Sequence, residues 1–344
     1  MATLGLEASR IDPCVSSYKK RNLYMMRHMD DFLMIGPKNE LEGIHNEMKV
    51  QMLLRDIVFL DLPGDNVQFL GWQLARTAKG LDVSVNQQLA RDIVEDAGLQ
   101  HSSRQTALPG YKDRTNDETP CTSIEHKYYR TQVGRLLFYV ALRPDMQYAV
   151  TQLAKYVHSP TPAHMVMLKR CIRYLQGTSH LVRHLRPKGR LRITAFADSD
   201  WAGADDRRST SGGVLLLAGA VVLTFSRTQA SRALSSCEAE LYAMGSTSAE
   251  AMHLAAFLTE QGWCDEPPLV FSDSSSALTL TGRRGQGRLK HVEVRLLAIQ
   301  DWREQKRITA AKVGTEENIA DVLTKYVSRS VLETLLPLLG LGEP

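Results

Sequence analysis

The sequence predicts an α/β protein: a mixed sheet with flanking helices over residues 191–330, preceded by a smaller α+β segment and a helical one. Three observations carry this. From Leu191 onward, apolar runs of strand length alternate with longer amphipathic stretches. The first of these runs close on one another as a hairpin, whereas the later ones are separated by helix-length segments, so an antiparallel meander continues into parallel strands through helical crossovers. Between Ile124 and Gly177 the periodicity is helical throughout and interrupted only at prolines.

Taken in order, "NLYMMRHMDDFLMIGP" is two apolar runs around an acidic centre, a β-hairpin with Asp30 and Asp31 at its tip. Leu41, Ile44, Met48 and Met52 recur at helical spacing. Strands are expected at Val67 to Leu74 and Leu81 to Val85 with a turn at Lys79-Gly80, then a helix over 86–97. The polar stretch His101 to Cys121, with Pro109-Gly110, reads as a linker. Three helices follow, broken at Arg143-Pro144 and at Pro160 to Pro162. Next come a strand at Arg192 to Ala197 and a hairpin, "GGVLLLAGAVVLTFS", turning at Ala218-Gly219. A long helix from Ser236 to Gln261, a strand at Leu269 to Ser272 with a helix after it, a helix near Val292 to Glu304, a strand at Ile308 to Val313 and a helix from Glu316 to Tyr326 complete the series.

An apolar fraction of 43% over 344 residues excludes a mostly disordered chain and suffices for two or three cores. A net charge of +4 says little, but its distribution is uneven. Between Asp145 and Asp198 there is no acid, while Lys155, Lys169, Arg170, Arg173, Arg183, Arg186, Lys188, Arg190 and Arg192 are all basic. A second basic run holds Arg283, Arg284, Arg288, Lys290, His291 and Arg295, with Glu293 its one acid. Five scattered cysteines without a CxxC pair argue against a disulfide framework and against structural zinc. With no apolar run of membrane-spanning length and no signal-peptide pattern, an intracellular protein, cytoplasmic or nuclear and without a membrane partner, is expected.

"FADSDWAGADDRRSTSG" places Asp198 at the end of an apolar strand, where a buried acid needs a partner. Asp205 and Asp206 beside Arg207 and Arg208 read as a solvated turn, and Asp200 as support for its neighbour. Three other acids occupy comparable places: a glutamate on the long helix, Asp273 after a strand, and Asp321. The helix offers Glu238 and Glu240. Ser235 to Glu238 fits the S-x-x-E capping box, which gives Glu238 a structural job and leaves Glu240 to face the sheet, with Ala243 small enough for close approach. Asp273 taken alone fits a helix N-cap equally well, and Asp321 a solvated helix face. Four carboxylates in one pocket repel unless cations join them, and two Mg²⁺ ions about 4 Å apart are suited to phosphodiester hydrolysis.

"FADSDWAGADDRRSTSGG", "LSSCEAELYA", "FSDSSSAL", "LKHVEVRLLAIQDW" and "NIADVLTK" resemble, in order and spacing, the ribonuclease H domain of copia-type LTR retrotransposon Pol polyproteins. "GLEASRIDPC", "MRHMDDFLMIG", "FLGWQL", "YRTQVGRLLFYVALRPDMQYAV" and "RCIRYLQGT" resemble the reverse transcriptase palm, thumb and connection of the same family. The resemblance implies a ribonuclease H-like mixed sheet after a truncated α+β palm and a helical thumb and connection. The segments would be 1–105, 106–190 and 191–330, with a tail at 331–344. It implies cleavage of the RNA strand of RNA/DNA hybrids with two Mg²⁺ or Mn²⁺ ions, held by Asp198, Glu240, Asp273 and Asp321. Lys169, Arg170, Arg173, Arg190, Arg192, Arg283, Arg284, Lys290 and His291 would then contact nucleic acid, with a salt-sensitive and sequence-independent grip. The family's Tyr-x-Asp-Asp is His28-Met29-Asp30-Asp31 here, and no earlier palm strand supplies a third carboxylate, since Asp12 falls in the "DPC" match. Asp30 and Asp31 are therefore expected to be a polymerase remnant, or half of a site completed by another polyprotein fragment. A nucleic-acid-binding transposon remnant without catalysis is the alternative reading.

Overall fold

The computed structural model describes residues 4–112, 119–203, 206–285 and 297–344. The chain opens with β1 (Glu7–Ala8), β2 (Val15–Tyr18), β3 (Leu23–His28) and β4 (Asp31–Ile35), an antiparallel sheet in chain order, backed by α1 (Lys38–Lys49). Leu23 and Met25 face Leu41, Ile44 and Met48 of that helix, a period of two meeting a period of three to four. Asp30 and Asp31 sit at the exposed hairpin tip, where Met29 is 84% exposed. This sheet docks on the far end of the protein through Glu260, which accepts from the Arg10 amide at 2.7 Å, and through the Trp263 ring, 4.6 Å from that of Tyr24.

A second sheet has the order β14-β8-β7-β6-β5. It is built from β5 (Asn66–Phe69), β6 (Trp72–Thr77), β7 (Gly80–Val85), β8 (Val182–Leu185) and β14 (Leu341–Gly342), all antiparallel. Three stretches of sequence that read as separate segments thus share one sheet. The single strand expected over 67–74 is a hairpin instead. Leu70 (φ 50°) and Gly71 (φ 81°) turn it, the two positive φ values of a tight two-residue loop. α2 (Gln87–Asp96) packs against β7 of this sheet, and α3 (Ser123–Tyr139), α4 (Pro144–Lys155) and α5 (Pro162–Thr178) pack with it in one helical layer, the boundaries following the Asn86 and Thr122 caps and the two prolines at first-turn positions. The described part of the expected linker forms no helix or strand but is not free: Leu108 and Tyr111 pack on the helical core.

The third sheet, in the order β11-β10-β9-β12-β13, is the mixed sheet that the sequence predicts. β9 (Ile193–Asp200), β10 (Thr210–Leu217) and β11 (Ala220–Thr228) form the meander, turning at Ala218 (φ 49°) and Gly219 (φ 79°). β12 (Leu269–Ser272) and β13 (Thr309–Lys312) run parallel to β9 and to each other. α6 (Ser236–Gln261), ended by a left-handed Gly262, connects β11 to β12, and α7 (Ser275–Thr281) and α8 (Ala298–Glu304) lie between β12 and β13. The first residues of the helix expected from Val292 lie outside the described residues. No helix among the described residues is long and apolar enough to cross a membrane.

Two differences concern the C-terminal stretch. Residues 316–326 do not form a helix but two single 3₁₀ turns, Thr315–Glu317 and Asp321–Leu323. Residues 331–344, read as a tail, hold most of α9 (Arg329–Leu338) and all of β14. Ser328 caps α9, and Leu332, Leu335 and Leu339 bury its inner face. The largest core joins the middle sheet, α2 to α5, α9 and the side of the third sheet carrying Val214, so the helical layer is packed between two sheets.

Candidate metal centre

The centre is set by strand register. β9 and β12 are parallel with Ala197 opposite Ser272, so the next residue on each is Asp198 and Asp273, side by side at the carboxyl ends. Asp198 is 3% exposed. Its side chain leaves the face opposite to that of its neighbours Ala197 and Ser199, as a pleated strand requires. Ala197 packs against Leu241 and Met244 of α6, whereas Asp198 meets the 321–324 turn, where Thr324 donates its hydroxyl to it.

Two glycines let both layers approach. Gly212 lies directly across the ladder from Asp198, and a Cβ there would come within 2.7 Å of Thr324 Cγ2 and 2.9 Å of Leu323 Cβ. On the opposite face, a Cβ at Gly213 would meet the Phe225 ring at 2.3 Å and Thr247 Oγ1 of α6 at 2.8 Å. Glycine is therefore required at both positions for close packing, with neither at positive φ.

Asp321 reaches the strand because its segment gives up helical bonding. Asn318 donates to the Ala197 carbonyl at 3.0 Å, and its own Oδ1 accepts from the Ala320 amide at 3.2 Å. Asn318 and Thr324, three residues to either side of Asp321, are fully buried. The expected helix fails here because these side chains bond the neighbouring strand and the local backbone instead.

Carboxylate oxygens of Asp198, Asp273 and Asp321 all lie within 4.8 Å of one another. Burial, then the charge of Asp321, pushes the Asp198 carboxyl from the ordinary 3.8 up to about 7. Burial also raises Asp321, against the pull of Lys325, whose ammonium pairs with its Oδ2 at 2.8 Å. Glu240 enters from the α6 side, beside Ser199; burial, then the charge of Asp198, lifts it to about 8. Asp321 Oδ1 and Glu240 Oε2 are buried with no hydrogen-bond partner. An all-oxygen cluster short of positive charge, with unpartnered buried oxygens, fits a hard divalent cation.

Glu238 has the structural job foreseen, one residue displaced. Ser235 Oγ accepts from its amide at 3.2 Å, while its carboxylate accepts from Leu234 N at 2.7 Å rather than from Ser235. Asp273 is not an N-cap; Ser274 takes that place at α7. Asp206 pairs locally with Arg208 at 3.3 Å, as the solvated turn implies, and Asp205 lies outside the described residues. Asp200 is half-buried and raised by burial, its carboxylate lying where a Cβ of Gly203 would be. Asp30 and Asp31 are on another sheet and in no cluster with other acids among the described residues.

The basic residues are more dispersed than their sequence runs. Arg190 pairs with Glu266, Arg284 with Glu304, and Arg186 with Asp82 at 3.3 Å, so acids from elsewhere partly even out both basic runs. Arg170 stacks over Tyr111 at 5.2 Å. Lys169, Arg192 and Arg283 are exposed, Arg173 is half-buried, and Lys290 and His291 lie outside the described residues. Asn318, Thr324 and Lys325 were not singled out from sequence. The signal was there, in polar residues bracketing the largely apolar stretch Ile319 to Leu323.

Sheet order and strand directions define a ribonuclease H-like fold within an architecture shared with a solved reverse transcriptase. A solved foamy viral protease-reverse transcriptase, in complex with an RNA/DNA hybrid, superposes over 88% of this chain and 37% of that one, with a TM-score of 0.54 at 15% identity. No family model matches the chain. The retrovirus-related Pol polyprotein from transposon RE1 of Arabidopsis thaliana is 28% identical over 327 residues, 93% of this chain and 22% of that polyprotein. An uncharacterized mitochondrial protein of the same plant, AtMg00810, is 31% identical over 230 residues, 66% of this chain and 92% of its own length. The chain belongs to the retrovirus-related Pol polyproteins of transposons, and it spans about a fifth to a quarter of the length of the polyproteins RE1, RE2 and TNT 1-94.

Proposed function

We propose that residues 191–330 form a ribonuclease H unit that hydrolyses the RNA strand of RNA/DNA hybrids, with Asp198, Glu240, Asp273 and Asp321 holding two Mg²⁺ or Mn²⁺ ions. The observation that carries this is the meeting of three carboxylates within 4.8 Å from three distant places in the chain, Glu240 beside them. Such a cluster destabilises the fold unless a bound ligand offsets the repulsion, and divalent cations are the ligands its chemistry selects. Cations held there would activate water and stabilise the leaving oxygen of a phosphodiester. The chain's own part is orientation. Thr324 fixes Asp198, Asn318 holds the 321–324 turn against β9, and the Gly212-Gly213 step keeps both layers close enough for the acids to converge.

Lys169, Arg192 and Arg283 are free to meet phosphates, and a hybrid duplex is the partner that the family implies. Asp30 and Asp31, on a separate sheet, take no part in cleavage. The test is a labelled RNA/DNA hybrid incubated with the protein and Mg²⁺ or Mn²⁺, with Asp198→Asn as control. Cleavage lost in the variant supports the nuclease. Binding without cleavage by the unaltered chain supports a non-catalytic remnant instead.

A further inference from the structure

Lys325 is the cation that, among the described residues, is ion-paired with an acid of the cluster. Its charge also acts on Asp198 and Asp200. The other nearby ammoniums are placed differently. Lys312 is tied to the Asp273 carbonyl at 3.1 Å and to the Ser275 hydroxyl, while Lys112 and Lys155 act on Asp200.

The backbone around Lys325 is fixed on both sides. Thr324 bonds Asp198 and the Asp321 carbonyl, the latter at 3.1 Å. Tyr326 is wedged against the Tyr148 ring, with centroids 4.8 Å apart, and against Gly110, where a Cβ would come within 2.3 Å of it. Between these anchors the Lys325 side chain is 48% exposed, so the ammonium stands at the rim between buried acids and solvent. It occupies Asp321 Oδ2 and leaves the buried Oδ1 unpartnered and facing inward.

We propose that Lys325 is a built-in counter-ion that positions Asp321, sets how strongly the centre takes divalent cations, and offers its ammonium to a backbone phosphate of the bound strand. This rests on the nuclease reading above. A fixed positive charge beside a cation site repels a second cation and attracts an anion, so removing it affects the two ligands in opposite directions. A residue that merely braced the fold would weaken both.

The experiment titrates Mn²⁺ calorimetrically into the unaltered protein, Lys325→Met, Lys325→Arg and Asp198→Asn, without nucleic acid. Lys325→Met is expected to bind Mn²⁺ about tenfold more tightly, and Lys325→Arg to stay close to the unaltered protein. Hybrid binding is then followed by fluorescence anisotropy with Ca²⁺, whose looser oxygen shell fills such a site without the strict geometry that Mg²⁺ demands. There Lys325→Met is expected to bind several-fold more weakly, with a salt slope lower by about one. Unchanged or weaker Mn²⁺ binding by Lys325→Met, or unchanged hybrid binding, overturns the proposal. If Asp198→Asn lowers Mn²⁺ affinity while Lys325→Met does not raise it, the nuclease reading stands and this inference alone falls. If the unaltered protein takes up no Mn²⁺, both fall.

Discussion

The protein carries two groups of aspartates, and they are opposites. Asp30 and Asp31 are adjacent in sequence, lie at the tip of a two-stranded turn, and are open to solvent. Asp198, Asp273 and Asp321 are separated by 75 and then 48 positions, meet where the carboxyl ends of two parallel strands face the 321–324 turn, and are buried or half-buried. Adjacent acids on an exposed turn repel one another only weakly, because water screens them. Acids collected from distant elements into a largely enclosed site are held against their own repulsion by the packing of the whole domain. Of the two, the costly arrangement is the informative one, since a fold with no use for it would be more stable without it.

The largest expected effect separates the two groups directly. Asp198→Asn should lower hybrid cleavage by about a thousandfold or more, while Asp30→Asn with Asp31→Asn should leave it within about twofold, both read from single-turnover rates with Mg²⁺. Equal losses would erase the contrast. Next comes the packing that gathers the buried group. Gly213→Ala places a methyl 2.3 Å from the Phe225 ring, and should cost about 2–3 kcal/mol in urea unfolding, whereas Asp30→Ala should cost under about 0.5 kcal/mol.

The pH dependence sharpens the same contrast. Asp198 and Glu240 have carboxyls raised from 3.8 and 4.5 to about 7 and about 8, so without metal their protonated forms favour the folded state. Their contribution is complete below the ordinary carboxylate range, and is lost as pH rises toward 7 and 8, because the unfolded chain releases these protons first. The metal-free melting temperature should therefore fall over this window relative to that of Asp198→Asn, and Mn²⁺ should restore it at pH 8. The smallest effect belongs to the helix that carries Glu240: Ser235→Ala removes its cap and should cost about 1 kcal/mol in thermal unfolding.

The sequence was readable where structure is local. The Ala218-Gly219 hairpin, the bounds of α6 between Ser235 and Gly262, and the proline-limited helices are set by turn chemistry, caps and missing donors within a few residues. It was not readable where bonding is long-range. Leu70 takes a positive φ that its side chain disfavours, because the strands beyond it must turn back, and nothing in "FLGWQL" other than the glycine announces this. Residues 316–326 have helical periodicity, yet Asn318 and Thr324 bond β9 and so break it. The positions of Asp198, Asp273 and Asp321 could be named one by one, but their meeting depends on a register between strands more than 70 residues apart. The role of Lys325 depends on both.

The two-residue strand at Leu341–Gly342 seals one margin of the middle sheet by pairing with Val182 and Arg183. A chain shortened before α9 would leave the outer row of peptide groups on β8 bare, ready to recruit a strand from another molecule. Trimming residues 329–344 for crystallisation would thus exchange a small ordered flap for a sticky edge, and the shortened protein would be expected to self-associate before it lost its fold.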